Sequence, residues 1–137
     1  MTEKACNLWL EPAEYRCILT SGALSPDGTA ILDDPTALEA AKRFQGLEQD
    51  LGRLIAARGN HVHLVGNGLV TFPVKQFQFA KPTLAFIQRS AKELAELVGG
   101  AKTLLPRPGC RPGEMTWETV APALAGLPDN IIVIQHT

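Results

Sequence analysis

Leu84, Ile87, Ala91, Leu94 and Val98 recur at three- and four-residue steps between Pro82 and the Gly99-Gly100 pair. That spacing sets them on one face of an α-helix, which the glycines stop. Two further helices are predicted upstream. In the first, "PTALEAAKRF", Asp34 offers a side-chain cap and Pro35 takes the first helical position, where its missing N–H is no loss. After a bend near Gly46, the second turns Leu47, Leu51, Leu54 and Ile55 to one side and ends at Gly59.

Other segments read as strands: "AEYRCILT" (Ala13–Thr20), "AKTLL", the β-branched "NIIVIQH" (Asn130–His136), and a further one from "ACNLWL". "HVHLV" and "LVTF", joined by Gly66-Asn67-Gly68, form a tight hairpin. Pro122 shortens or kinks the last helix. Strands alternating with helices, interrupted by one hairpin, predict an α/β sandwich with a mixed sheet. Ligands of such sheets sit at the carboxyl ends of the strands. The loops at that edge are Ser21–Pro35 and the proline- and glycine-rich Pro106–Thr116.

Composition narrows the function. At 137 residues, 45% hydrophobic and 20% charged, the chain is expected to be one globular domain, residues 1–137. A formal net charge of −1 gives no electrostatic signal for nucleic acid, and no apolar run or signal-like N-terminus suggests a membrane, so a cytoplasmic protein is expected. Cys6, Cys17 and Cys110 show no CxxC spacing, which argues against a disulfide framework or structural zinc. His61 and His63 alternate on one strand face, but no third ligand stands at a suitable spacing, and no metal or cofactor is expected.

The second loop, "LPRPGC" followed by "MTWETVAPAL", resembles that of the macro domains. The likeness is to the branch of terminal ADP-ribose protein glycohydrolases and DNA-ADP-ribose-removing antitoxins. "TFPVK" is similar to that branch's strand ending in Phe-Pro-x-Lys, and "AAKRFQGLEQDLGRLI" to its first helical region, so the match runs in order from about Asn7 to Gln135. The resemblance implies a three-layer α/β/α fold with ADP-ribose in a cleft between the two loops. Backbone amides would bind the diphosphate there, without a need for lysines.

Lys75 matches the branch's nucleophilic lysine. A lysine attacks only as a free amine, which burial or a neighbouring cation would favour. The branch's catalytic aspartate falls at Gly113, so Glu114 next to it is the candidate acid or base. The resemblance places Ser21, Gly22, Pro108, Gly109, Cys110, Arg111, Gly113 and Trp117 at the ligand. Trp117 reads first as a packing anchor and the Cys110 thiol as a buried small side chain. In the first loop Asp33 and Pro35 stand where the family has two glycines. A carboxylate about 4 Å from a phosphate charge would oppose binding by about 4 kcal/mol at an effective dielectric of ~20, with Arg107 or Arg111 as compensation. An ADP-ribosyl hydrolase acting on modified protein or nucleic acid, a non-catalytic reader of ADP-ribose or a related nucleotide, and a degenerate macro fold serving as a protein-binding module all stay open.

Overall fold

The computed structural model describes all 137 residues. Six strands form one sheet: β1 (Thr2–Cys6), β2 (Tyr15–Thr20), β3 (Leu64–Gly66), β4 (Leu69–Pro73), β5 (Thr103–Pro106) and β6 (Ile131–His136). Their order is β1-β6-β5-β2-β4-β3, and every pairing is parallel except that of β3 with β4. The expected mixed sheet is present, with the hairpin at one edge. Asn67 (φ 56°) and Gly68 (φ 72°) are both left-handed in the turn, as a two-residue hairpin loop demands. The N-terminal strand is displaced from the expected one: it runs over Thr2–Cys6, and "NLWL" instead folds back as a turn. Arg16 holds that turn by donating to the carbonyls of Leu8, Glu11 and Ala13.

Helices α1 (Pro35–Arg43) and α2 (Leu47–Arg58) cover one face, where Ile18 and Leu69 meet Ala37, Ala40 and Leu47. On the other face α3 (Leu84–Val98) and α4 (Trp117–Leu124) bury Cys17, Leu19, Val70, Phe72, Leu105 and Val133 against Ile87, Leu94 and Val120. Alternate residues of β2 thus serve opposite cores, the period-2 consequence of a sheet covered on both sides. The result is the expected three-layer α/β/α sandwich. Pro122 lies within α4, which spans only 8 residues.

From β2 the chain moves through α1 and α2 to β4 on one side, while β5 and β6 lie on the other. The loops after β2 and β5 therefore diverge from adjacent parallel strands. That is a topological switch point, where open α/β sheets leave a crevice. No helix is long and apolar enough to cross a membrane.

Candidate functional site

The first loop begins at the end of β2, where Thr20 pairs with Pro73 of β4. This register brings Lys75 beside the loop's origin. Ser21 and Gly22 turn toward that side and are locked there. The Gly22 N–H donates to the Gln76 carbonyl (3.0 Å), and a Cβ on Gly22 would lie 2.7 Å from Gln76 Nε2 and 2.8 Å from Asn60 Cγ. The loop then turns at Ser25–Thr29, docks on α2 through the Ala30 N–H and Glu48 carbonyl (2.9 Å), and returns at Asp33 and Asp34.

Asp34 starts α1 as expected. Its Oδ1 accepts from the Thr36 N–H (2.9 Å) and hydroxyl (2.6 Å), and Thr36 Oγ1 in turn accepts the Leu19 N–H (3.0 Å). Burial pushes the Asp34 carboxyl above the ordinary aspartate range; the Thr36 donors and Arg111 pull it down, and the neighbouring Asp33 adds to the rise.

The second loop is built on glycine. Gly109 has φ 71°, and a Cβ there would lie 3.0 Å from both Ile87 Cδ1 and Met115 Cε. Gly113 has φ 85°. The loop is closed by Met115 N–H to Gly109 O (3.0 Å), Glu114 N–H to Arg111 O (2.8 Å) and Arg111 N–H to Glu114 Oε1 (3.1 Å). The N–H groups of Gly109, Cys110, Gly113 and Thr116 find no acceptor within the protein. Gly109 is buried, which leaves the amides of Cys110, Gly113 and Thr116 as a concentration of donors in one short turn, suited to an anion.

Between the loops lies a groove of ≈ 620 Å³, walled by Asp34, Pro35 and Thr36 on one side and by the Cys110–Trp117 turn on the other. Leu19, Pro106 and Ile134, from three adjacent strands, lie along it. Arg107 stacks on the Trp117 ring, 4.7 Å from its centroid, and both line the groove; the indole N–H donates to Glu3 Oε1 (3.0 Å). Trp117 is therefore a packing anchor whose side also forms groove wall. The Cys110 thiol is half-buried and donates to Pro108 O (3.4 Å), and burial pushes its pKa above the ordinary thiol value, so it stays protonated.

Leu19, Asp34, Arg111 and Glu114 separate the groove from an inner recess of ≈ 10 Å³ that holds Lys75, Asp33 and Gly109. Lys75 is only 5% exposed. Its Nζ donates to Asp33 Oδ2 (2.7 Å) and to the Gln78 carbonyl (2.7 Å). Arg111 ties the two loops together, donating to the Asp33 carbonyl (3.0 Å) and approaching Asp34 (3.9 Å) and Glu114 (3.5 Å).

Lys75, Gly109, Cys110, Arg111, Gly113, Glu114 and Trp117 thus gather around the groove and its recess. Ser21 and Gly22 line neither, and the buried Pro108 lies beneath the turn. Two expectations about charge are corrected. The carboxylate facing the groove is Asp34; Asp33 is turned inward and neutralised by Lys75. The group beside the lysine is accordingly an anion where a cation was one of the two conditions for freeing the amine; the other, burial, is met. Glu114 does not touch Lys75, because its carboxylate is engaged by Arg111 of its own turn. His61 pairs with Glu93 (2.8 Å) and His63 with the Gly59 carbonyl (2.9 Å), both away from the groove. Sequence reasoning missed Asn60, whose amide holds the Lys75 carbonyl (3.0 Å), and His136, which accepts the Leu8 N–H (3.2 Å) at the groove's edge. Neither carries a local signal, since each acts on a segment remote in sequence.

Two solved structures share this architecture. The macrodomain of Mycobacterium tuberculosis DarG aligns with a TM-score of 0.80 at 18% identity, over 99% of this chain and 97% of that one. The macrodomain of Thermus aquaticus DarG aligns with a TM-score of 0.76 at 17% identity, again over 99% and 97%. No family model and no curated protein matches the chain. The likeness to the macro domains, read first from the second loop, therefore extends over the whole fold: the chain has the macrodomain architecture.

Proposed function

We propose that this protein recognises ADP-ribose, free or attached to a macromolecule, in the groove between its two loops, and that Lys75 releases the attached form by hydrolysis. The observation that carries the reading is the placement of Lys75: a lysine almost wholly removed from solvent, held by two acceptors behind a nucleotide-sized groove in a macrodomain fold.

The groove's ≈ 620 Å³ is within the roughly 300–1,000 Å³ common for small-ligand sites. Its open amides supply donors to a diphosphate, and Arg107 and Arg111 offset Asp34. The Trp117 and Pro106 surfaces offer apolar contact to the nucleoside. In hydrolysis, the Lys75 amine attacks the anomeric carbon of the distal ribose and the linkage to the macromolecule breaks. Water then releases the ribose from Lys75.

Calorimetry with ADP-ribose and release from a glutamate-linked mono-ADP-ribosyl peptide test the proposal. Lys75→Ala is expected to keep binding and lose release. Equal release by that variant rejects the mechanism, and no heat at millimolar ADP-ribose rejects recognition. A second reading has its own support. Lys75 is ion-paired with Asp33, so its amine is occupied at rest, as suits a reader without catalysis; binding with no release by the unaltered protein selects it.

A further inference from the structure

A lysine nucleophile must first give up a proton, and the acceptor must lie within hydrogen-bond reach of its nitrogen. Three carboxylates stand near Lys75. Asp34 is committed to α1: one oxygen takes both Thr36 donors and the other faces Arg111. Glu114 is committed to its own turn through the Arg111 N–H and guanidinium. Asp33 differs from both. Its carboxylate caps nothing and has Lys75 Nζ as its single hydrogen-bond partner, at 2.7 Å. Its main chain is fixed independently, since Arg111 donates to its carbonyl. The residue is thus pinned by its backbone to the second loop and aims its side chain at the lysine. Gln78 O, the other partner of Nζ, cannot take a proton and serves to orient it.

We propose that Asp33 is the catalytic base of this site, supplied by the first loop where Gly113 leaves the second loop without one. The proposal rests on the hydrolytic reading above. Asp33 Oδ2 takes a proton from the Lys75 ammonium. The freed amine forms a bond to the anomeric carbon as the bond from that carbon to the acyl oxygen breaks, and the electron pair leaves with the carboxylate product. The nitrogen now carries two hydrogens and a positive charge. Water attacks the same carbon, the carbon–nitrogen bond breaks, and the water's proton goes to the departing amine, restoring the ammonium. Asp33 returns its own proton to solvent. The net reaction is ester plus water giving carboxylate, ADP-ribose and one proton. The recess beside the pair, at ≈ 10 Å³, has room for that one water.

The test uses the full chain, a glutamate-linked mono-ADP-ribosyl peptide under single-turnover conditions, and calorimetry with ADP-ribose. Asp33→Asn is expected to slow release by about a hundredfold or more, with ADP-ribose affinity within threefold of the unaltered protein. Glu96→Gln, at an exposed carboxylate on α3 that lines neither the groove nor the recess, is expected to stay within threefold in both. In Asp33→Ala, added formate is expected to restore release in proportion to its concentration, which a merely structural loss would not permit. Release by Asp33→Asn at or above the unaltered rate overturns the role of Asp33 and marks it as an obstructing latch, leaving the hydrolytic reading intact if Lys75→Ala stays inactive. Slow release by Asp33→Asn with no formate rescue in Asp33→Ala also overturns it. An unaltered protein that binds ADP-ribose but releases none overturns both.

Discussion

Gly52 sits inside α2, and in an isolated helix its replacement by alanine would stabilise by about 1 kcal/mol. Here the sign should reverse. A Cβ on Gly52 would lie 2.0 Å from the Gly28 carbonyl oxygen, more than an ångström inside ordinary contact, and 3.1 Å from Ala30 N and Gly28 C. All three atoms are backbone, so no rotamer change relieves the overlap; the loop must lift from the helix. Lifting strains the Ala30 N–H bond to the Glu48 carbonyl. Overpacking of this kind costs about 1–3 kcal/mol, and one lost hydrogen bond adds about 1 kcal/mol. Set against the helix gain, Gly52→Ala should destabilise by about 2 kcal/mol, read as a lower urea midpoint with an unchanged slope. Gly126→Ala, where a Cβ meets open space, is the control and should be near neutral. Because the same loop carries Asp33, Gly52→Ala should also weaken the Asp33–Lys75 contact and slow any release of ADP-ribose. A Gly52→Ala protein as stable as the parent would refute the reasoning, since it would show that the loop does not rest on α2.

The Lys75–Asp33 pair should be asymmetric. Lys75 is the more enclosed partner, with its side chain 6% exposed against 26% for Asp33. Asp33→Ala strands a buried cation and should cost about 3 kcal/mol, whereas Lys75→Met leaves a carboxylate that water can reach and should cost less; equal losses in urea unfolding would contradict this. Asp34 supplies a pH dependence. Its carboxyl is raised in the folded chain, so its contribution to stability is complete below the unfolded value and is lost as pH rises through the folded one. Asparagine caps a helix about as well as aspartate. Asp34→Asn should therefore be at least as stable as the parent at pH 7, with the gap closing toward pH 4, and should bind ADP-ribose more tightly at pH 7. An advantage for the parent at pH 7 would reject the burial argument.

Much of the architecture was legible in the chain. The α3 stripe, the Asp34–Pro35 helix start and the Asn67-Gly68 turn rest on interactions within a few residues, so periodicity and capping chemistry suffice to read them. That Lys75 follows a strand was legible locally; its place beside the loops was implied only by the resemblance and depends on the β2–β4 register. Its partner was not legible. Asp34 is marked as the cap by its place before Pro35, but nothing local tells where the neighbouring Asp33 points, and only the path of the returning loop turns it onto Lys75, 42 residues away. Arg111 reaches the Asp33 carbonyl across 78 residues, and the Gly22 N–H is tied to the Gln76 carbonyl away from the groove. Such contacts depend on where parallel strands set two loops side by side, and no spacing along one segment encodes that distance. The sequence determined the helices, the hairpin turn and the mixed character of the sheet, though not the place of the N-terminal strand. The tertiary structure decided which charge meets which, because electrostatic pairing acts through space between elements that the fold alone brings together.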